Sequence, residues 1–317
     1  MSILISRHQK IFGIRELYVV FSIVVMTILF GYINPRFFSG EALYSILTLA
    51  TELGIIALGV SFLMIAGEFD LSVGSVYAFS GLITIWALNS GLSYPASLFL
   101  SLLFAIAIGL VNGIVTVYGR IPSFIATLGM MWLLRGLLLA ITGGFPVGLE
   151  RLPPEMIIYT YQVIGDLKAS SLWFIALILI LQIMLNNTPY GNKAQAVGGA
   201  PGVARALGVR VERVKIGAFV ISSLCAALAG QVAVARFKIV EPTAGQGLEL
   251  EAIAASVLGG TSLAGGIGSI VGAALGALLV GVIRVGLIFA GAPAYWYIGF
   301  IGFLLIIVGI MSIRRRR

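Results

Sequence analysis

Long apolar stretches run through almost the whole of this 317-residue chain, and they decide what it can fold into. Hydrophobic residues make up 60% of the sequence and charged residues only 10%, whereas a soluble domain carries about 25% charged residues. A helix of about 20 apolar residues crosses the roughly 30 Å hydrocarbon core of a bilayer. The sequence therefore predicts an all-α polytopic membrane protein that forms a single transmembrane domain over residues 1–317.

Apolar runs of sufficient length predict about ten transmembrane helices. The third, sixth and eighth runs are short, and Gly67 and the pair Gly265 and Gly266 could mark breaks inside re-entrant segments. We therefore expect some of the helices to be short or broken at glycine. The predicted spans are 17–33, 42–66, 71–88, 95–118, 122–141, 171–186, 214–235, 249–262, 266–290 and 295–312.

The distribution of lysine and arginine predicts which side of the membrane each end faces. With an even number of spans and both ends inside, thirteen of these residues fall on the inner side and five on the outer side, and the intramembrane Arg135 and Arg284 complete the 20. Basic residues are retained on the cytoplasmic side of membranes. Both termini are therefore expected to be cytoplasmic.

The residue types needed for enzyme chemistry are nearly missing from the sequence. Cys225 is the only cysteine and His8 the only histidine, so neither a disulfide framework nor a Cys/His metal centre can be built. No Gly-Lys pair occurs, which excludes a P-loop for ATP, and no G-x-S-x-G or H-E-x-x-H pattern occurs. We therefore expect a protein that is not an enzyme and has no catalytic, cofactor or metal site. Nucleic-acid binding is not expected either, because the basic residues lie at helix ends and in loops.

One long polar interruption, residues 190–215, separates the apolar runs. It is rich in Gly, Ala and basic residues and contains a single acid, Glu212. Because proline is tolerated in the first turn of a helix, a short helix is predicted to begin near Pro201 and to carry Val203, Ala204 and Leu207 on one face. Such a face would suit a groove on a cytosolic partner.

Two parts of the chain repeat one pattern. Residues 63–79 and 257–273 both show an apolar helix, a glycine break and then Gly-Ser-Val or Gly-Ser-Ile at the start of a new helix. Internal repeats with broken helices are common in transporters, where the breaks present helix ends to ions or substrates. The pattern is also compatible with chance in a chain this rich in Gly and Ala.

Four motifs in the same order carry a resemblance to a known family. Residues 67–75, GEFDLSVGS, are similar to the family's GGIDLSVG, with Glu68 and Phe69 in place of the usual Gly and Ile. The other three motifs are residues 121–129, 196–208 and 257–268. In residues 196–208, the third motif, Ala200 replaces the usual Asn and Leu207 replaces a frequent Ser. The chain resembles the permease subunit of ribose-type, monosaccharide-importing ABC transporters.

The resemblance implies a transmembrane subunit that takes no part in ATP hydrolysis. A cytosolic ATPase would bind the ATP and Mg, an extracytoplasmic binding protein would deliver the sugar, and a second permease copy would complete a dimer in a prokaryotic inner membrane. Pentoses and hexoses both remain open as cargo. The alternative is a secondary transporter or channel for a small polar solute, which usually needs an ion or proton site; we place only one plausible acid, Glu52, inside a span.

Two groups of functional residues follow from this resemblance. Residues 190–213 become the cytoplasmic coupling loop, and residues 142–170 an extracytoplasmic loop. The ATPase-coupling candidates are Gly199, Pro201, Val203, Ala204, Arg205, Leu207 and Gly208. The candidates for docking the binding protein, through salt-sensitive complementary charge, are Glu150, Arg151, Arg236 and Lys238.

Polar residues within the spans are candidates for the translocation path or its gate. An ionisable group in hydrocarbon costs about 2.5 to 3.5 kcal/mol and is normally paired, so we expect Glu52 to pair with Arg135 or Arg284 as a structural lock. The alternative is that these residues contact sugar hydroxyls in transit. Asp70 suits a helix start, where a carboxylate accepts backbone N–H groups. Asn112 and Thr127 could bond a polyol or a neighbouring helix. The candidates are Glu52, Asp70, Asn112, Thr127, Arg135, Thr261, Ser262 and Arg284.

Overall fold

A computed structural model describes residues 14–293 and 295–314 of the chain. The two chain ends, which we predict to be cytoplasmic, lie outside these residues. Thirteen α-helices make up most of the described structure. They are α1 (Ile14–Ile33), α2 (Gly40–Ile65), α3 (Val73–Asn89), α4 (Tyr94–Val117), α5 (Ser123–Thr142), α6 (Ile157–Thr160), α7 (Ser170–Asn187), α8 (Pro189–Gly199), α9 (Pro201–Ala206), α10 (Val211–Phe237), α11 (Leu248–Leu258), α12 (Ile270–Phe289) and α13 (Tyr295–Arg314).

Each of the ten predicted spans coincides with one helix, and the all-α polytopic class is confirmed. Seven helices, namely α1, α2, α4, α5, α7, α10 and α12, are long and apolar enough to cross a membrane. The third and eighth predicted spans form the shorter helices α3, of 17 residues, and α11, of 11 residues. The tenth coincides with α13.

Helices α2 and α10 form the centre of the bundle. In each of them 78% of the membrane-spanning stretch is buried, against 28% or less in α1, α4, α5 and α7. The two central helices approach closely at Gly59, where a Cβ atom would lie 2.7 Å from the Cβ of Cys225. Small residues allow this approach where lipid gives no hydrophobic drive for association.

Both predicted glycine breaks are present, and they touch each other. The first runs from Ala66 to Ser72, between α2 and α3, and the second from Gly259 to Ser269, between α11 and α12. The amide of Gly266 in the second break donates a hydrogen bond of 2.9 Å to the carbonyl of Ile65 at the end of α2. The two segments that repeat one sequence pattern, residues 63–79 and 257–273, therefore meet in space.

Short strands order the segment between α5 and α7. Strand β1 (Val147–Gly148) pairs antiparallel with β4 (Ile239–Val240), which follows α10, so that Val147 lies opposite Val240. Strands β2 (Gln162–Ile164) and β3 (Leu167–Lys168) form a hairpin. Two 3-10 helices, Pro35–Phe38 and Pro154–Met156, complete the described elements. Residues 142–170 are thus an ordered segment attached to the end of α10.

Candidate functional site

The polar interruption folds as a pair of short helices, α8 and α9. Thr188 caps α8 by accepting a hydrogen bond of 3.2 Å from the amide of Gly191 on its side-chain oxygen. Proline stands in the first turn of both helices, where its missing N–H is not needed. The helix predicted to begin near Pro201 is present as α9.

Helix α8 is fixed firmly to the inner part of the bundle. The ring of Tyr190 stacks on that of Phe62 in α2 with 5.8 Å between centroids, and its hydroxyl donates to the carbonyl of Val214 at 2.9 Å. Burial raises the pKa of Tyr190 above its ordinary value, so this hydroxyl stays protonated as the donor. The side chains of Ala194 and Val197 are buried beneath the helix.

Helix α9 carries a small exposed apolar face. Val203 is 61% exposed and Leu207 is 79% exposed, and residues four apart lie on the same side of a helix. The prediction that Ala204 shares this face is wrong. Ala204 is only 3% exposed. Each residue of a helix is rotated by about 100° from the one before it, so the side chain of Ala204 faces away from that of Val203 and is buried.

The remaining coupling candidates shape the two ends of α9. Gly208, with φ of 81°, ends the helix, and its amide donates to the carbonyl of Arg205 at 3.0 Å. Arg205 is paired with Glu212 of the same chain at 2.5 Å and lines an open cleft of about 690 Å³ with Tyr118 and Arg120. Arg205, one of the ATPase-coupling candidates, thus has an ion-pair partner within its own chain.

Asp70 lies at the centre of a buried polar network in the first break. Its side chain is 0% exposed and accepts hydrogen bonds from the amide and hydroxyl of Ser72 at 2.9 and 2.6 Å, and from the hydroxyl of Ser222 at 3.2 Å. The side-chain amide of Asn112 donates to Ser72 at 2.9 Å. Asp70 thus accepts a backbone N–H at the start of α3, as the sequence predicts, and the donor is Ser72, the residue that precedes the helix.

Hydroxyls at the start of α5 hold the backbone of the same break. The amide of Leu71 donates to Thr127 at 3.0 Å, and the amide of Phe69 donates to Ser123 at 3.1 Å. Glu68, beside them, forms an ion pair with Lys215 of α10. Asp70, Asn112 and Thr127 therefore connect neighbouring segments inside one protomer.

Thr261 and Ser262 organise the second break in a similar way. The hydroxyl of Thr261 lies 2.7 Å from that of Ser61 in α2, and this pair is buried. The amide of Ser262 donates to the carbonyl of Ile267 at 2.8 Å, which closes the loop. A polar contact therefore joins the second break directly to α2.

The predicted charge lock exists, but with a different arginine. Glu52 pairs with Arg236 at 2.8 Å, whereas Arg135 donates to the carbonyls of Pro242 and Ala244 at 2.6 and 2.8 Å. The sequence predicts Arg135 or Arg284 as the partner of Glu52 and places Arg236 among the docking candidates. Glu52 and Arg236 are 184 residues apart in the sequence, so their pairing depends on the tertiary fold, which the pattern of spans does not contain.

Arg284 belongs to a cluster that the sequence prediction missed. It lies 3.8 Å from Glu251 and 4.8 Å from the ring centroid of Tyr297, and the Tyr297 hydroxyl donates to Glu251 at 2.7 Å. Glu251 thus lies with Glu249 in the eighth predicted span, and its place near the start of that span could have revealed it. Glu251 thus compensates part of the charge of an arginine in a span.

Three of the four docking candidates come together beside the paired strands β1 and β4. The amide of Leu149, next to Glu150 and Arg151, donates to the carbonyl of Lys238 at 2.8 Å. The amide of Glu150 donates to the side chain of Asn89 at the end of α3, at 3.1 Å. Glu150, Arg151 and Lys238 are exposed, whereas Arg236 points toward Glu52.

Comparison with known proteins defines the class of this chain. Residues 42–309 match the family described as branched-chain amino acid transport system, permease component. The autoinducer 2 import system permease protein LsrC of Yersinia pseudotuberculosis serotype O:1b (strain IP 31758) is 36% identical over 282 residues, which cover 89% of this chain and 80% of that protein.

The LsrC protein of Photorhabdus luminescens is 34% identical over 302 residues, which cover 95% of this chain and 91% of that protein. No solved structure matches the chain significantly. With the seven long apolar helices, these matches confirm a multi-pass permease subunit of an ABC importer in the bacterial inner membrane. The chain belongs to the permease component family of the branched-chain amino acid transport systems.

Proposed function

We propose that this permease carries a monosaccharide, a pentose or a hexose, delivered by an extracytoplasmic binding protein and moved at the expense of ATP hydrolysed by a separate cytosolic subunit. The four motifs that resemble ribose-type permeases support a sugar as cargo. Autoinducer 2 is the second candidate, because the relatives with 34 to 36% identity are named for its import. Both candidates are small polar solutes.

The exposed apolar face of α9 is the observation that supports docking of an ATPase. Val203 and Leu207 present apolar side chains to solvent beside a helix that is itself fixed to the bundle. An apolar helix face fits a groove on a partner. Because the sequence has no P-loop, ATP and Mg would bind to that partner. Residues 190–213 would then form the cytoplasmic coupling segment.

The exposed patch of Glu150, Arg151 and Lys238 supports docking of a binding protein on the opposite side. These three residues carry both signs of charge on backbone that strand pairing holds in place. Complementary charge steers association and is screened by salt. Residues 142–170 would form most of this extracytoplasmic surface.

Arg284 supports pairing with a second copy of the permease. Its side chain is 40% exposed although it lies in the membrane-spanning helix α12. Lipid does not solvate a guanidinium, so such a group faces a partner helix or a water-filled path. Either surrounding fits a path that forms between two copies.

Uptake into proteoliposomes tests the function. The permease is reconstituted with its ATPase and binding protein, and uptake of labelled ribose, glucose and autoinducer 2 is measured with ATP or with a non-hydrolysable analogue. We expect accumulation of one solute only when ATP and the binding protein are both present. Uptake by the permease alone would indicate the alternative, a secondary transporter or channel.

A further inference from the structure

The end of α8 meets both helix breaks with no side chain between them. A Cβ atom at Gly198 would overlap the carbonyl oxygen of Ile65 and would lie 2.7 Å from the amide nitrogen of Gly266. A Cβ atom at Gly265 would lie 2.9 Å from the Cα of Gly67. We call the four residues Gly67, Gly198, Gly265 and Gly266 the glycine junction.

The backbone at the junction is specific to glycine. Gly67, Gly265 and Gly266 have φ values of 88°, 79° and 76°, which side chains with a Cβ rarely adopt. The hydrogen bond from Gly266 to Ile65 joins the second break to the last residue of α2, next to the first break. Three segments of backbone, from α8 and from each break, are thus in van der Waals contact at one point.

Contacts of this kind transmit displacement. A side chain can change rotamer when a neighbour moves, whereas packed backbone segments must move together. Helix α8 is also held by the stacking of Tyr190 on Phe62, so it cannot slide away from α2 without breaking that contact. Movement of α8 is therefore passed to both breaks at once.

The breaks are the places where such movement would change the membrane-spanning helices. The first is bounded by α2 and α3 and contains the network of Asp70, and the second is bounded by α11 and α12. The contact between Ser61 and Thr261 ties the second break to α2. A single displacement of the breaks would thus reorient the ends of α2, α3, α11 and α12 that border them.

We propose that the glycine junction transmits the force of the ATPase from α9 through α8 to both helix breaks. This inference rests on the proposed docking of the ATPase on α9. The exposed face of α9 would receive the partner, and the junction would couple that contact to the four helices that end or begin at the breaks. Gly198 is the central positioning residue.

Replacement of Gly198 tests the junction. Gly198→Ala is compared with Gly136→Ala, which places the same methyl group in α5 where nothing lies within 4 Å. Co-purification of the ATPase, ATP hydrolysis and uptake per ATP hydrolysed are measured. We expect Gly198→Ala to keep the ATPase bound and active but to lower uptake per ATP about tenfold, a typical coupling effect. Uptake per ATP equal to that of Gly136→Ala would overturn the proposal.

A second variant decides the matter if Gly198→Ala fails to fold. Two glycines inserted between Ala200 and Pro201 leave the junction and the face of α9 intact but disconnect them. The same loss of uptake per ATP with retained ATPase is expected, and normal uptake per ATP would overturn the proposal.

Leu207→Glu separates failure of the junction from failure of the docking proposal. If it loses the ATPase while the insertion variant transports normally, only the junction fails. If it keeps the ATPase bound, docking on α9 fails and the junction proposal falls with it.

Discussion

At the scale of single residues, Asp70 is a buried polar group that specific hydrogen-bond partners hold in place. Asp70 accepts three hydrogen bonds although no part of it reaches the surface. A buried donor that loses its acceptor bears the cost of desolvation without compensation. Asp70 therefore stabilises the first break, and the free energy of unfolding measures this contribution.

Replacement of Asp70 should separate its hydrogen bonding from its charge. Asp70→Ala leaves the Ser72 amide and two hydroxyls without an acceptor, and we expect the free energy of unfolding to fall by about 3 kcal/mol, since each such group costs about 1 to 3 kcal/mol. Asp70→Asn keeps one acceptor oxygen and should lose about 1 kcal/mol. Denaturant unfolding in detergent measures both values. Equal stability of Asp70→Ala and the parent protein would contradict this role.

The Glu52 and Arg236 pair makes a second prediction at this scale. Removal of either partner leaves a charge unpaired inside the bundle, so Glu52→Ala and Arg236→Ala should each lower the amount of folded protein in the membrane. The double variant should recover part of that loss, with a coupling energy of about 1 to 3 kcal/mol. Unfolding of all three variants in detergent gives this energy, and strictly additive effects would show that the pair does not act as a lock.

At the scale of elements, α9 shows where sequence reasoning stops. Pro201 predicts the start of the helix correctly, because the missing N–H of proline is a local property. The direction of Ala204 is not local, because it depends on how α9 lies against α10 and α8. The sequence indicates that an apolar face exists, and the structure determines which residues form it.

Matched substitutions on α9 should therefore have opposite effects. Leu207→Asp changes an exposed residue, so we expect normal stability but loss of ATPase association. Ala204→Asp places a charge at a buried position, so it should lower thermal stability and should disturb coupling only through unfolding of α9. Thermal unfolding and co-purification of the ATPase are measured on both variants. Normal stability of Ala204→Asp would show that the position is open.

At the scale of the whole molecule, hydrophobicity predicts the helices well and their contacts poorly. All ten predicted spans are helical, because the transfer of an apolar run into lipid depends on residues close together in sequence. The meeting of Gly198 with Ile65 and Gly266 joins parts of the chain that are far apart, and no local pattern contains it. The sequence pattern shared by residues 63–79 and 257–273 marks the two breaks but does not show that they touch.

Cross-linking from α9 tests the central claim, which is that this face receives the ATPase. The single native cysteine, Cys225, is buried, so a thiol-reactive photo-cross-linker can be attached selectively to Leu207→Cys. Tyr32→Cys, an exposed position on α1, is the matched control. In complexes that import solute, illumination should yield an adduct with the ATPase from position 207 and none from position 32. An active complex that gives no adduct from position 207 would contradict the claim.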